Sequence, residues 1–162
     1  MPRGFPWGGG RSWKDLLDVP VTVEASDGNE VPPGLPDFFH TISLHFVSTR
    51  LRLLLENAGA EIEFWPASVH YAGQVDANSY FVANPLIQLP ALDIERSAVE
   101  LDDMGLALSA EHVVLDEAKL ANTNWAKVRE LQQVVVSSVV QNALRESGFS
   151  GFQLVESSAV RL

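Results

Sequence analysis

The sequence predicts an α+β fold: a mostly antiparallel sheet with two or three helices packed on it, in a single domain. Three observations lead there. Short apolar–polar runs recur along the chain, bounded by Gly, Pro, Asn or Asp. Strict strand–helix alternation is missing, which disfavours a doubly wound sheet. And the two clearest helical segments read alike. Val47-Ser48-Thr49 opens one and Val136-Ser137-Ser138 the other, and they close on Leu55…Gly59 and Leu144…Gly148. A Ser at the end of an extended run can cap a helix, because its hydroxyl accepts a bond from an unpaired N–H of the first turn. Gly readily takes the left-handed conformation that ends one. Two copies set this far apart do not make a solenoid.

Taken in order, residues 1–12 form a Gly-, Pro- and Arg-rich lead-in expected to be flexible, with Trp7 and Trp13 placed to pin it to the body. Residues 13–162 form the single domain. Val19 to Glu24 alternates as a strand, Asp27-Gly28-Asn29 signals a turn, and Pro32-Pro33-Gly34-Leu35-Pro36-Asp37 cannot be helical. In the first capped helix Leu51, Leu54, Leu55 and Ala58 share a face. Glu61 to Tyr71 reads as a strand interrupted at Pro66, which suggests an edge position or a bulge. Ser79 to Ala83 is a further strand, ended by Asn84-Pro85. Leu89 to Ile94 and Ala98 to Leu101 are short extended pieces, His112 to Leu115 is another strand, and Trp125 to Leu131 reads as a strand with imperfect alternation, with a helix as the competing reading. Val134 to Val136 leads into the second cap. A helix follows over about Ser138 to Ser147, and Phe152 to Val155 is the last strand.

At 162 residues, 46% hydrophobic and 20% charged, the chain is long enough for a proper core and unlike a disordered one. It has no cysteine, which excludes disulfides and thiolate metal sites. Met1-Pro2-Arg3-Gly4-Phe5-Pro6-Trp7 lacks the apolar stretch of a signal peptide, and no apolar run approaches the roughly 18 residues of a membrane span. A cytoplasmic location is expected.

Charge is unevenly spread. The chain carries a formal −10, and between Asp93 and Glu117 eight carboxylates stand against the single base Arg96. A field of this sign repels phosphate backbones and attracts a basic protein. The candidate contact residues are therefore Asp93, Glu95, Glu100, Asp102, Asp103, Asp116 and Glu117. Asp102-Asp103-Met104-Gly105 reads as a turn that exposes both aspartates. The bland alternative is a solvated face that aids solubility.

No catalytic motif survives inspection: there is no G-x-S-x-G, P-loop, H-E-x-x-H or G-x-G-x-x-G after a strand. His40 and His45 have no carboxylate at ligand spacing between them. If Asp93-Ile94-Glu95-Arg96-Ser97 is extended, Asp93, Glu95 and Ser97 share one face, and the two carboxylates could bind a cation or do acid–base work. They lack a third ligand. Trp65 and Trp125 could be binding platforms, although an aromatic in a strand is more often core.

Several landmarks recur in a fixed order. They are Leu35-Pro36-Asp37-Phe38-Phe39, Val47-Ser48-Thr49-Arg50-Leu51 with Leu54-Leu55, Ile62-Glu63-Phe64-Trp65-Pro66-Ala67 and Tyr80-Phe81-Val82-Ala83-Asn84-Pro85. Ala91-Leu92-Asp93-Ile94-Glu95-Arg96-Ser97, Val113-Val114-Leu115-Asp116-Glu117, Val134-Val135-Val136-Ser137 and Leu144…Gly148-Phe149-Ser150-Gly151-Phe152 follow. Over roughly Leu35 to Val155 this resembles the immunity-protein family of bacterial polymorphic toxin systems that is numbered eleven and typified by a Myxococcus domain. The chain departs from that pattern at Asn124-Trp125-Ala126-Lys127, where a Phe-Arg pair in a strand is expected, and in a shorter N-terminal region. The resemblance implies a non-enzymatic α+β protein, without cofactor or metal, that neutralises a cognate toxin. It leaves the oligomeric state open. A small metal-dependent hydrolase using Asp93 and Glu95, or a scaffold or oligomerisation module, are the competing readings.

Overall fold

Both serines cap helices as their positions predict. In the computed structural model, which describes residues 10, 12–13, 21–24, 35–41, 44–71 and 74–156, helix α1 spans Thr49–Asn57 and helix α3 spans Ser138–Glu146. A one-turn helix, α2, lies between them at Glu117–Leu120. Ser48 and Ser137 are extended, and their hydroxyls accept from Leu51 N at 3.2 Å and Val140 N at 3.4 Å. Beyond the helices, Gly59 and Gly148 take positive φ of 68° and 63°. Leu51 and Leu55 of α1, and Val140 and Leu144 of α3, turn into one core.

The two units are tied to each other. Ser48 Oγ donates to Asp37 Oδ1 at 2.8 Å, while Asp37 Oδ2 accepts from Ser150 N at 3.1 Å, just past the end of α3. Reciprocally, Ser137 Oγ donates to Asn124 Oδ1 at 2.8 Å, while Asn124 Nδ2 donates to the Gly59 carbonyl at 3.2 Å, just past the end of α1. The start of each helix thus shares a polar bridge with the chain leaving the other. The helices consequently lie antiparallel, side by side. The main chain follows suit, with Ser48 N bonded to Asp37 O and Ser137 N to Asn124 O.

Strands β1 (Val21–Glu24), β2 (Phe38–His40), β3 (His45–Ser48), β4 (Ile62–Tyr71) and β5 (Gln74–Pro85) form a five-stranded sheet in the order β1-β4-β5-β3-β2. Only the β1–β4 pair is parallel. Strands β6 (Gln88–Leu89), β9 (Trp125–Val128) and β10 (Gln133–Val136) form a second sheet ordered β10-β9-β6, and β7 (Ala98–Leu101) and β8 (Ala107–His112) pair as a hairpin. The fold is α+β and mostly antiparallel.

Both faces of the large sheet are covered. One carries Phe46, Ala67, Val69, Tyr80 and Val82 under Trp13. Buried Glu63 holds that segment, accepting from Ser12 Oγ and Trp13 N, both at 2.7 Å. The other face carries Val47 and Ala83 under α1, α3 and Trp125. Trp125 and Trp13 are core residues, and Trp65 packs at the edge of the first cluster.

Several expectations change. β4 is an interior strand of the order, but the described β1 joins it only from Ala67 to His70, so Pro66 stands where that side of β4 is open, and a bulge follows it between Ala67 and Val69. The Leu86 N bond to Glu61 O sets the phase of the β4–β5 ladder, which puts Ile62/Pro85 and Pro66/Phe81 at positions that exchange no hydrogen bonds. Each missing N–H would point to the opposite neighbour, β1 for Pro66 and β3 for Pro85, and the described pairings of those strands reach only Ala67 and Ala83, so β5 runs through Asn84-Pro85 rather than stopping before it. The strand expected at His112 to Leu115 lies earlier, at β8, and Leu115 makes only an isolated bridge to Leu92. Phe152 to Val155 is not a strand. Phe152 and Leu154 instead lean on the helical core, with Phe152 edge-on to Phe38 at 6.2 Å. Gly151 lets this tail cross β2, because a Cβ there would lie 1.8 Å from Phe38 O. The expected turn at Asp27-Gly28-Asn29, the Pro32-Pro33-Gly34 stretch and nearly all of the lead-in lie outside the described residues.

The caps predict stability losses. Ser48→Ala and Ser137→Ala each lower unfolding free energy by about 0.5–2 kcal/mol, whereas Ser138→Ala has little effect. Asn124→Ala, which orphans Ser137 and Gly59 together, lowers it by about 1–3 kcal/mol. Chemical denaturation with unchanged midpoints for both cap variants contradicts the paired-unit description.

Acid stability has two separate windows. Burial, with the nearby Lys127 and His40, pushes His45 down from 6.5 to about 4. Between those values the unfolded chain binds a proton that folded His45 refuses, so stability falls as pH drops through that window. At Asp37 burial alone raises the pKa, but hydrogen bonds from Arg50, Ser48 and Ser150 outweigh it and hold the carboxyl below 3.8. Its contribution is complete above that value and is lost only as pH falls further. In urea titrations across pH, His45→Phe flattens the first window and leaves the second.

Candidate functional site

Residues 93–117 form one acidic lobe, made of a turn, the β7–β8 hairpin and the start of α2. Its inner side carries Ala110 and Val113, packed with Ala91, Leu92, Val128 and Leu131. Its outer side is solvent.

The carboxylates divide into two kinds. Asp93 Oδ1 accepts from Arg96 N at 3.1 Å. Asp102 Oδ1 accepts from Met104 N at 2.9 Å and Leu106 N at 2.8 Å. Asp116 Oδ1 caps α2, accepting from Ala118 N at 3.1 Å, and Oδ2 lies 3.3 Å from Lys119 Nζ. For Asp116 desolvation raises the pKa, but Lys119 and the cap bonds together outweigh it and hold its carboxyl below the usual range. A short aspartate side chain reaches N–H groups two to four residues on, so these three shape turns. Glu95, Asp103, Glu111 and Glu117 are exposed and make no hydrogen bond or ion pair with another described residue. Exposed Glu100 meets only Ser109 Oγ, at 3.4 Å.

This sorting corrects two expectations. Residues 94–96 form a turn, so Asp93, Glu95 and Ser97 do not share a strand face. Ser97 Oγ instead bonds the main chain of Val114. Among the described residues no group of three or more His, Asp or Glu could hold a metal ion. Asp102 is half-buried and engaged rather than exposed, while Asp103 is exposed as expected.

Sequence reasoning missed the apolar part of the surface. Met104 (76% exposed), Leu108 (63%) and Ile94 (60%) are the most exposed large hydrophobics described, and all three sit on this lobe. Leu108 owes its position to a bulge. β7 alternates regularly, with Ala98 and Glu100 out and Val99 and Leu101 turned toward the core. Its partner does not. Ala98 pairs with His112 but Val99 with Ala110, and Glu100 pairs with Ser109 but Leu101 with Ala107. Glu111 and Leu108 are therefore the extra residues, and Leu108-Ser109 and Glu111-His112 are exposed doublets. No local residue pattern announces such bulges.

A shallow groove of about 550 Å³ lies between α1 and α3, lined by Leu54, Ala58, Val139, Ala143 and Phe149 together with Arg50. That arginine is already engaged, bonding Asp37 Oδ2 at 2.8 Å and lying 4.3 Å over the Phe149 ring. His40 and His45 stack edge to face at 6.4 Å, without a carboxylate partner among the described residues. No described helix is long and apolar enough to cross a membrane.

The family described as "Immunity protein family (Imm11)" matches residues 2–158 of the chain. No curated protein matches it.

The two kinds of carboxylate respond differently to substitution. Asp103→Lys leaves stability within about 0.5 kcal/mol of wild type. Asp102→Ala, which orphans two turn N–H groups, costs about 0.5–2 kcal/mol, and Asp116→Ala, which uncaps α2, also lowers stability. Thermal and urea unfolding of the three variants make the comparison, and equal effects would refute the division.

Proposed function

The chain belongs to the immunity protein family Imm11, and from that premise we propose that it neutralises a cognate toxin of a bacterial polymorphic toxin system by binding it stoichiometrically in the cytoplasm. The chain acts as a plug or mask and performs no chemistry of its own. Membership over 2–158 carries this reading, and the acidic lobe supports its finer part. Exposed carboxylates with few or no partners among the described residues, set beside exposed apolar side chains, suit capture of a basic protein surface. Complementary charge accelerates encounter and suppresses wrong partners. Of the candidate contact residues, Glu95, Glu100, Asp103 and Glu117 face the partner, while Asp93, Asp102 and Asp116 hold the surface in shape.

The test uses the product of the toxin-like reading frame beside this one. It co-purifies with the chain in a one-to-one complex, and their association slows with added salt, since screening shortens to about 8 Å near physiological ionic strength. Asp103→Lys combined with Glu117→Lys slows association by about tenfold and changes dissociation much less. A salt-independent association rate, with the double variant binding like wild type, would return the lobe to a solubility role.

A further inference from the structure

We propose that the outer face of the β7–β8 hairpin anchors the toxin, with Leu108 as the buried apolar knob and Glu100 and Glu111 as flanking acceptors for its lysine or arginine side chains. This rests on the immunity reading above and adds the place and chemistry of contact.

The bulges are the starting point. A regular strand that buries Ala110 would turn Leu108 and His112 inward with it, because side chains alternate. The extra residues in β8 break that phase at both ends and turn both side chains to solvent. Bulges recur beside functional sites, where they re-aim a side chain. Here the re-aimed residue is a leucine left 63% exposed on a sheet face otherwise made of Ala98, Glu100, Ser109, Glu111 and His112. Met104, more exposed still, marks the hairpin tip beside Asp103.

Charge selects the occupant. No lysine or arginine occurs between Arg96 and Lys119, so the patch has no cation of its own along the hairpin. Glu111 makes no hydrogen bond or ion pair with a described residue, and Glu100 holds one long bond. A second copy of a chain carrying −10 would bring the same acidic patch to the contact and repel it. A nucleic-acid backbone is repelled likewise. A protein pocket that admits a leucine and is rimmed by basic side chains satisfies both halves of the surface. Such central apolar anchors ringed by polar contacts carry most of the energy of a protein interface.

The experiment measures surface-based kinetics of the full-length chain against the inactivated product of the neighbouring toxin-like gene. Leu108→Ala weakens binding by about thirtyfold, nearly all of it in faster dissociation. Glu111→Gln weakens it by about three- to tenfold and reduces the salt dependence. Ala143→Arg, in the groove between the helices, leaves binding unchanged. Leu108→Gln serves as a second variant should Leu108→Ala melt differently from wild type. If wild type binds while the Leu108 and Glu111 variants bind within about twofold of it, the anchor is overturned and the immunity reading stands. Loss of binding by Ala143→Arg alone moves the contact to the helical groove. If wild type neither binds that product nor protects cells from it, the immunity reading falls and the anchor falls with it. A dimer of the free chain that Leu108→Ala dissolves would assign the patch to a second copy and overturn the proposal.

Discussion

Two polar side chains, Asp37 and Asn124, hold the molecule's helical layer together. Each joins the capping serine of one helix to the chain just beyond the other, with bonds of 2.8 Å to the serines. Together they set the antiparallel pairing of α1 and α3 and so close the core of Val47, Leu51, Leu55, Trp125, Val140 and Leu144. Hydrophobic burial supplies the drive but no direction, whereas hydrogen bonds with fixed donors and acceptors choose one arrangement among those of similar burial.

The rest of the structure follows from the Asn124 bridge. Glu61 Oε2 accepts from both Asn124 N at 3.0 Å and Trp125 N at 3.1 Å, which docks the start of β9 against the start of β4. With Trp125 turned into the helical core, Ala126 and Val128 of the same strand face away from it, and Val128 joins the cluster beneath the acidic lobe. One strand thus couples the two layers. The acidic surface is thus backed by a packed apolar cluster rather than carried on a free loop.

Acidic residues serve opposite ends in the two halves. Glu61, Glu63 and Asp37 point their carboxylates at main-chain N–H groups of distant segments and act as internal staples. In the lobe, aspartates at turns do the same locally, Glu100 accepts one long bond from Ser109, and the remaining carboxylates stay unpartnered among described residues. A net charge of −10 is therefore a poor guide to the field a partner meets. What counts is which carboxylates are free to interact, and these concentrate on the hairpin and its flanks.

Much of this was legible in the residues themselves. Ser48, Gly59, Ser137 and Gly148 marked two helices correctly, because capping and left-handed turns are local events decided within a few residues. The strands at Ala98–Leu101 and Trp125–Val128, the turn at Asp102–Gly105 and the acidic excess were equally local, and the ordered landmarks pointed to the family. Tertiary structure decided what depends on pairing. Pro66 is tolerated in β4 because the register turns its missing N–H toward the side that the described β1 joins only from Ala67 onward. Asp93 to Ser97 turns rather than extends, since Asp93 finds Arg96 N and Ser97 finds Val114. Phe152 to Val155 packs without pairing. Leu108 faces water only because two extra residues shift the phase of β8 against β7. The amino-acid sequence determined the caps, the turns and the sign of the charge. Register and bulges come from partners distant in the chain, so only the folded structure decided which carboxylates and which leucine the surface presents.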